Sequence, residues 1–335
     1  MRARRGRWLL SGIISVRHLS KSYGAVQAVD SLSFDVEQGQ VLGFVGANGV
    51  GKTTTMRIMA TLELPTSGSI EICGFDVLNF PTEVRRCIGW MPDAFGGYEH
   101  MTVYEYLDFY ARAFGFKGAE RRSRIDEVMD FTDLVSIAER QMAELSKGMG
   151  QRLCLGRSLL NDPRVLILDE PASGLDPKAR VDLIRLIQLL AEDGKTIFIS
   201  SHILSELAEM CTTMLFIDNG RLVHHGSAES LMSRHADGVV VSVRIDGDPS
   251  GFYEWVLMNR GVELLEETRE GGRMVIKEDS TELLNMQLRK MLSDGIAVAE
   301  FYRDRRTLEN AFVSILSNSS PPPLPVIGME VADDL

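Results

Sequence analysis

The sequence predicts an α/β fold with a mainly parallel core sheet, followed by a small α+β domain. Three observations carry this expectation. Gly46-Ala47-Asn48-Gly49-Val50-Gly51-Lys52-Thr53 matches G-x-x-x-x-G-K-[ST], between an apolar run, Val41 to Val45, that reads as a buried strand and a segment, Thr53 to Ala60, that reads as a helix. Val165 to Leu168 is an unbroken apolar run, and Thr196 to Ser200 is a second buried strand, the pattern of parallel strands covered on both faces. Past about residue 236 the elements run β-α-β-β-α-β, a different rhythm.

The chain has 335 residues, enough for one large domain and one small one. Hydrophobic content of 44% and charged content of 25% are ordinary for a globular protein. A net charge of −11 argues against a general electrostatic grip on nucleic acid, so no nucleic-acid partner is expected. Cys73, Cys87, Cys154 and Cys211 form no C-x-x-C pair, which argues against a zinc site or disulfide framework and for a reducing cytoplasm. There is no run of 18 apolar residues, so no segment is expected to span a bilayer.

In chain order, residues 1–12 form an N-terminal extension, basic and then briefly apolar. It resembles the start of a signal peptide, but Ser11-Gly12 breaks the apolar stretch, and it reads instead as a loose extension. Ile13 to Val16 and Ser31 to Val36 read as short strands, with Lys21-Ser22-Tyr23-Gly24 between them. Leu64 to Ile72 reads as turn and strand, Pro81 to Arg86 as a short helix with Pro in its first turn, and Ile88 to Met91 as a strand ending at Pro92-Asp93. Thr102 with Glu105 forms a capping box that opens a helix over Val103 to Phe114. Arg121 to Phe131 follows with Ile125, Val128 and Met129 on one face. Leu145 to Arg152 reads as a loop opening a helix over Leu153 to Leu160. Lys178 to Leu190 reads as a helix, and residues 213–218 and 221–225 as strands. In the smaller domain, 236–317, strands are expected at 239–245, 262–267, 274–277 and 297–302, with helices at 251–258 and 281–292. That order suggests a ferredoxin-like fold. A last helix, 307–316, carries Leu308, Phe312 and Ile315 on one face, to dock on this domain or to meet a partner. Residues 318–335 read as a flexible tail.

The chemistry starts at Gly46 to Thr54. Glycine at 46, 49 and 51 lets the backbone turn tightly and approach a phosphate with no Cβ in the way. The amides of Ala47, Asn48, Gly49, Val50 and the residues after them then face one concavity at a helix N-terminus. Lys52 supplies a full positive charge for the outer phosphates, and the Thr53 hydroxyl a ligand for Mg²⁺. Asp169 and Glu170 stand at the C-terminal end of an apolar strand, where open α/β sheets place ligands. Asp169 can hold Mg²⁺, directly or through water, and Glu170 can orient or deprotonate a water attacking the γ-phosphate. His202 ends another strand, within reach of that phosphate or water. Tyr23, beside a glycine, either stacks on an adenine ring or packs within its hairpin.

With these residues in order, the chain resembles an ATP-binding-cassette (ABC) transporter ATPase over roughly residues 13–230. Gly46 to Thr53 matches the Walker A motif and Val165 to Glu170 the Walker B motif with its catalytic glutamate. Leu145 to Met149 stands where the family has Leu-Ser-Gly-Gly-Gln, Ser173-Gly174-Leu175-Asp176 matches the D-loop, His202 the switch histidine and Tyr23 the adenine-stacking aromatic. The resemblance implies a P-loop NTPase cassette over 13–235, with a β-subdomain and a helical subdomain at about 93–161. It implies a homodimer that sandwiches two ATP molecules with Mg²⁺, each held between one chain's Walker A motif and the other's Ser146, Lys147, Gly148 and Met149. It also implies a separate membrane permease driven by closure and hydrolysis, and a peripheral place on the cytoplasmic face of the cell membrane.

Two positions depart from the family pattern. Asp93 stands where a glutamine is expected to touch Mg²⁺; a carboxylate is a hard oxygen ligand, yet it adds negative charge beside a triphosphate. Lys147 and Met149 replace Gly and Gln, while Ser146 and Gly148 remain; Lys147 either adds charge at the site or is simply solvated. One cassette with a Leu-Ser-Lys-Gly-Met signature and a small C-terminal domain is similar to ABC-2-type exporter ATPases. The alternative is a non-transport ABC ATPase acting on nucleic acid or in translation. It lacks the expected zinc module, coiled-coil insertion or second cassette. A small-molecule P-loop kinase has no use for the signature, D-loop and His202, and a non-hydrolysing module has none for Glu170.

Overall fold

Two sheets meet across a trio of phenylalanines. Phe34 stacks on Phe198 with ring centroids 5.6 Å apart, and Phe198 lies 5.1 Å from Phe44. Phe34 belongs to an antiparallel sheet, and the other two to a parallel one. The computed structural model describes residues 12–94, 96, 98, 100–227, 238–277 and 280–303. The chain divides into two units at 228/229.

The antiparallel sheet contains β1 (Ile14–Tyr23), β2 (Val26–Val36), β4 (Ser67–Ile72) and β5 (Phe75–Asp76), in the order β2-β1-β4-β5. The sequence reads as short strand pieces here, whereas β1 and β2 form one long hairpin turning at Gly24-Ala25. The register shifts after Val16, Leu19 and Lys21, and His18 and Ser31 are left-handed at φ 46° and 52°. Each bulge resets the two-residue alternation, which hides a continuous strand from a pattern reading.

The larger sheet contains β3 (Val41–Val45), β6 (Ile88–Met91), β7 (Val165–Leu168), β8 (Thr196–Ser201), β9 (Thr213–Asp218) and β10 (Arg221–Gly226). Its order is β10-β9-β3-β8-β7-β6, and every pair but β9–β10 is parallel. The apolar runs of β3, β7 and β8 are buried along their whole length, as expected for central parallel strands. Helix α1 (Lys52–Met59) leaves the P-loop, and α2 (Pro81–Cys87) leads into β6 with Pro in its first turn.

Residues between β6 and β7 are helical. Helix α3 (Val103–Ala113) carries the predicted capping box: Glu105 N donates to Thr102 Oγ1 and Thr102 N to Glu105 Oε2 at 2.9 Å. Helix α4 (Gly118–Phe131) buries Ile125, Val128 and Met129. Helix α5 (Lys147–Leu159) starts six residues earlier than the sequence suggests, because Ser146 caps it by accepting from Met149 N. The signature is therefore the first turn of a helix rather than a loop. Helix α6 (Pro177–Glu192) is capped by Asp176, which accepts from the amides of Lys178 and Ala179. A short helix, α7 (Leu204–Met210), follows β8 with no capping side chain, so the sequence carries no signal for its start.

In the second unit, β11 (Val239–Ile245), α8 (Ser250–Met258), β12 (Val262–Thr268), β13 (Gly271–Ile276), α9 (Thr281–Ser293) and β14 (Val298–Arg303) follow the predicted β-α-β-β-α-β sequence. The sheet order is β12-β13-β11-β14, antiparallel throughout, which is the split-βαβ arrangement. Phe252, Trp255 and Val256 of α8 and Met291 of α9 pack on Val241, Val243, Met274 and Ile276. The extension at 1–11, the expected helix at 307–316 and the tail lie outside the described residues. Among the described residues no helix is long and apolar enough to cross a membrane.

Phe198→Ala removes the ring that touches both sheets. It should cost about 3–5 kcal/mol of stability, read as a lower urea midpoint of the first unit's unfolding transition.

Candidate nucleotide site

Four parallel strands deliver their chemistry to one edge. β3 runs into the glycine-rich loop, β7 into Asp169-Glu170, β8 into His202, and β6 into Pro92-Asp93. Because β3, β8, β7 and β6 are neighbours in that order, residues far apart in the chain meet at their carboxyl ends.

The loop before α1 needs its glycines. Gly49 and Gly51 are left-handed at φ 84° and 105°, and a Cβ on Gly51 would fall 2.2 Å from the Ala28 carbonyl oxygen. A Cβ on Gly46 would fall 2.7 Å from Ile217 O. Gly51 is the N-cap of α1 and offers no side-chain cap, so the first amides of the helix are left for another acceptor. Lys52 is buried, 6% exposed, and its Nζ donates to Gly46 O at 2.7 Å and Ala47 O at 3.2 Å. It also stands 3.4 Å from Glu170 Oε1, an ion pair without hydrogen-bond alignment.

The two acids after β7 are fixed by one hydroxyl. Ser200 Oγ donates to Asp169 Oδ1 at 2.7 Å and accepts from Glu170 N at 2.9 Å. Asp169 is buried, and the Thr53 hydroxyl is near enough to act on it. Burial pushes the Asp169 carboxyl above the ordinary range; the Ser200 bond and the Thr53 hydroxyl oppose the shift, and the charges of Glu170 and Asp93 add to it. Glu170 sits at φ 48°, a left-handed conformation that costs a non-glycine residue on the order of 1 kcal/mol and turns its side chain off the strand line. Its Oε2 lies 2.7 Å from His202 Nδ1. Lys52, Thr53, Asp169, Glu170 and His202 are thus brought together. Asp93 is close enough for its charge to act on Asp169.

Tyr23 ends β1 with its ring at the surface, and Lys21 Nζ lies 4.7 Å from the ring centroid. The hairpin it belongs to reaches the P-loop through Ala28, the residue that crowds Gly51.

Ser146, Lys147, Gly148 and Met149 form a second group with the D-loop. A Cβ on Gly148 would fall 2.8 Å from Ala179 Cβ at the start of α6, and one on Gly174 would fall 2.4 Å from Lys147 Nζ. Lys147 is exposed, with its ammonium over the Gly174 turn. Ser173 N donates to Glu170 O at 3.1 Å. Among the described residues no hydrogen bond or ion pair joins Ser146 to Met149 with Lys52, Asp169 or His202.

Some supporting residues carried no recognisable signal in the sequence. Ser200 is one. Arg180 and Glu206 are two more: Arg180 Nε stands 3.0 Å from the buried Glu206 Oε1, and its guanidinium also reaches Leu175 O in the D-loop. Ser201 Oγ, next to His202, approaches Glu206 Oε2 at 3.4 Å.

Comparison with known proteins follows the same outline. A family model described as ABC transporter matches residues 29–173. The chain is 37% identical over 238 residues to a Nod factor export ATP-binding protein I of Ralstonia nicotianae, covering 71% of this chain and 74% of that protein. It is 40% identical over 227 residues to a bacitracin transport ATP-binding protein of Bacillus licheniformis, covering 68% of this chain and 73% of that one. A solved ATP-binding subunit of an ABC transporter matches with a TM-score of 0.60 at 30% identity, over 65% of this chain and 91% of the other. A dimeric bacterial ABC transporter cassette matches with a TM-score of 0.59 at 25% identity, over 64% and 98%.

The raised Asp169 carboxyl predicts a stability effect with a definite sign. In the folded protein its pKa lies above the unfolded value of about 3.9, so ionising it as pH rises costs stability. In buffer free of divalent cations, Asp169→Asn should raise the melting temperature at pH 7 by the order of a few degrees. The gain should shrink as pH falls through the folded pKa and vanish below about pH 4, where both states are protonated. Melting curves across pH check this.

Proposed function

Since the chain belongs to the family of ABC transporter ATP-binding subunits, and so binds and hydrolyses ATP, we propose that it powers export through a separate membrane permease. The relatives named for Nod factor export support export over import, and they count against the non-transport alternative. The observation that carries the reading is the contact chain from Lys52 to Glu170 to His202 at the carboxyl edge of the parallel sheet.

In this reading the amides from Gly46 to Thr54 cradle the phosphates, and Tyr23 stacks on the adenine. Lys52 leaves the carbonyls of Gly46 and Ala47 for the outer phosphates. That transfer also weakens its pairing with Glu170 and frees the carboxylate to orient or deprotonate the attacking water. Glu170 is half-way to that role already, since its other oxygen is held by His202. His202, 45% exposed, can keep that bond while facing the γ-phosphate.

The Thr53 hydroxyl and the Asp169 carboxylate are adjoining hard oxygen donors, a set that fits Mg²⁺. They would hold it, with Asp93 as a further oxygen ligand near by. Bound there, Mg²⁺ would neutralise phosphate charge.

Ser146, Lys147, Gly148 and Met149, with Ser173 and Asp176, face a second copy of the chain and meet the nucleotide held by it. A homodimer with two equivalent sites follows, since each motif occurs once. The assembly sits on the cytoplasmic face of the membrane through its permease, and no nucleic acid takes part.

Two outcomes test this. Glu170→Gln should lower ATP turnover by at least about 100-fold while leaving ATP binding intact. The same variant should elute from gel filtration as a dimer with MgATP and as a monomer without it. A variant that binds ATP but stays monomeric would overturn the two-copy site and favour closure with a different subunit.

A further inference from the structure

Gln151 is a buried carboxamide that the nucleotide chemistry does not use. It lies on α5, in the turn after the signature, and is 1% exposed. Its Nε2 donates to the backbone oxygen of Asp93 at 3.3 Å, and its Oε1 is sealed from solvent without a hydrogen-bond partner. For packing alone this is a poor residue, since methionine fills the same space and leaves no acceptor unpaired. What methionine cannot do is hold the Asp93 backbone.

Asp93 is two residues past β6, which pairs with β7 as far as Met91 and Leu168. Asp169 N donates to Met91 O at 2.8 Å, and the charge of Asp93 reaches the Asp169 carboxyl. The same helix grips β6 a second time: Arg157 donates to Trp90 O at 3.0 Å. Beyond the Arg157 bond, on the side away from Asp93, the backbones touch, for a Cβ on Gly89 would fall 2.2 Å from Ser158 O. Helix α5 and the β6–Asp93 segment are thus held as one piece, with Gln151 as its link nearest the site.

We propose that Gln151 is a positioning residue: it locks the Asp93 backbone to the signature helix, so that the seating of Ser146 to Met149 and the position of Asp93, two residues past the Met91 carbonyl that holds Asp169 N, are set together. The proposal rests on the site reading given above. It makes Asp93 an element of the metal side of the site whose position depends on α5, and it explains a buried amide with one bond made and one unmade.

The test is a double-mutant cycle read by binding rather than turnover. ADP affinity is measured by calorimetry with and without Mg²⁺ for the wild type, Asp93→Asn, Gln151→Met and the double variant. The ratio of the two affinities is the gain from Mg²⁺. Asp93→Asn should change that gain by about threefold or more, Gln151→Met should change it in the same direction, and the double variant should go no further than the larger single change. Melting temperature serves as the control, and Gln151→Met should hold or raise it. If Gln151→Met does not fold, Gln151→Asn, an amide too short to reach Asp93 O, carries the same comparison. The proposal is overturned if the Gln151 variant keeps the wild-type gain, if the single effects multiply in the double variant, or if Asp93→Asn has no effect. The underlying site reading fails in a different way: the wild type would then not bind ADP, or Lys52→Ala would bind it as well as the wild type.

Discussion

A buried ammonium organises this molecule. Lys52 is removed from water, and removing such a charge costs on the order of several kcal/mol unless partners replace the lost solvent. Here the partners are two loop carbonyls and one carboxylate edge. The loop must curl tightly to turn those carbonyls inward, which is why it needs glycine where φ is positive at 49 and 51. Glu170 must leave its strand to reach the cation, which is why it adopts a left-handed conformation. The arrangement satisfies the cation only in part. A polyanion at the same place would satisfy it better and would release Glu170 as it did so.

The precision of that arrangement comes from the parallel sheet beneath it. Residues separated by more than a hundred positions meet because β3, β8, β7 and β6 end side by side. The phenylalanine trio clamps this sheet to the antiparallel one, and Ala28 of that second sheet forms the wall that Gly51 touches. Packing in the core therefore reaches the phosphate loop through two contacts. Ser200 does comparable work at closer range, since one hydroxyl fixes both acids and needs no charge of its own.

Much of this was legible in the residues because the signals are local. The glycines and lysine of the loop, the apolar strands ending in Asp169-Glu170 and His202, and the Thr102–Glu105 box are each contained in a window shorter than ten residues. The β-α-β-β-α-β order of the second unit was legible from strand and helix periods. The hairpin of β1 and β2 was not, because its bulges break the alternation. The start of α5 was missed because Gly148 and Gly150 look like loop residues, and the Ser146 cap becomes visible only with the helix in place. Ser200 and Gln151 were out of reach for another reason. Their partners lie 31 and 58 positions away, and neither residue type announces a role.

The distribution of exposed charge gives the last step. The Lys52 group is built inward, against its own loop and acids. The signature group is built outward: Ser146 and Lys147 are exposed, and α5 presents its N-terminus there with a lysine in its first turn. A helix N-terminus and an ammonium both favour an anion, yet Lys147 has no carboxylate within ion-pair distance among the described residues. Among the described residues, each chain thus offers one glycine-rich cradle and one exposed ammonium at a helix N-terminus with no carboxylate within ion-pair distance. In the proposed dimer, the outward group of each chain would cover the cradle of the other and bring that ammonium and helix N-terminus to the phosphates held there, which is the electrostatic reason for proposing a paired assembly.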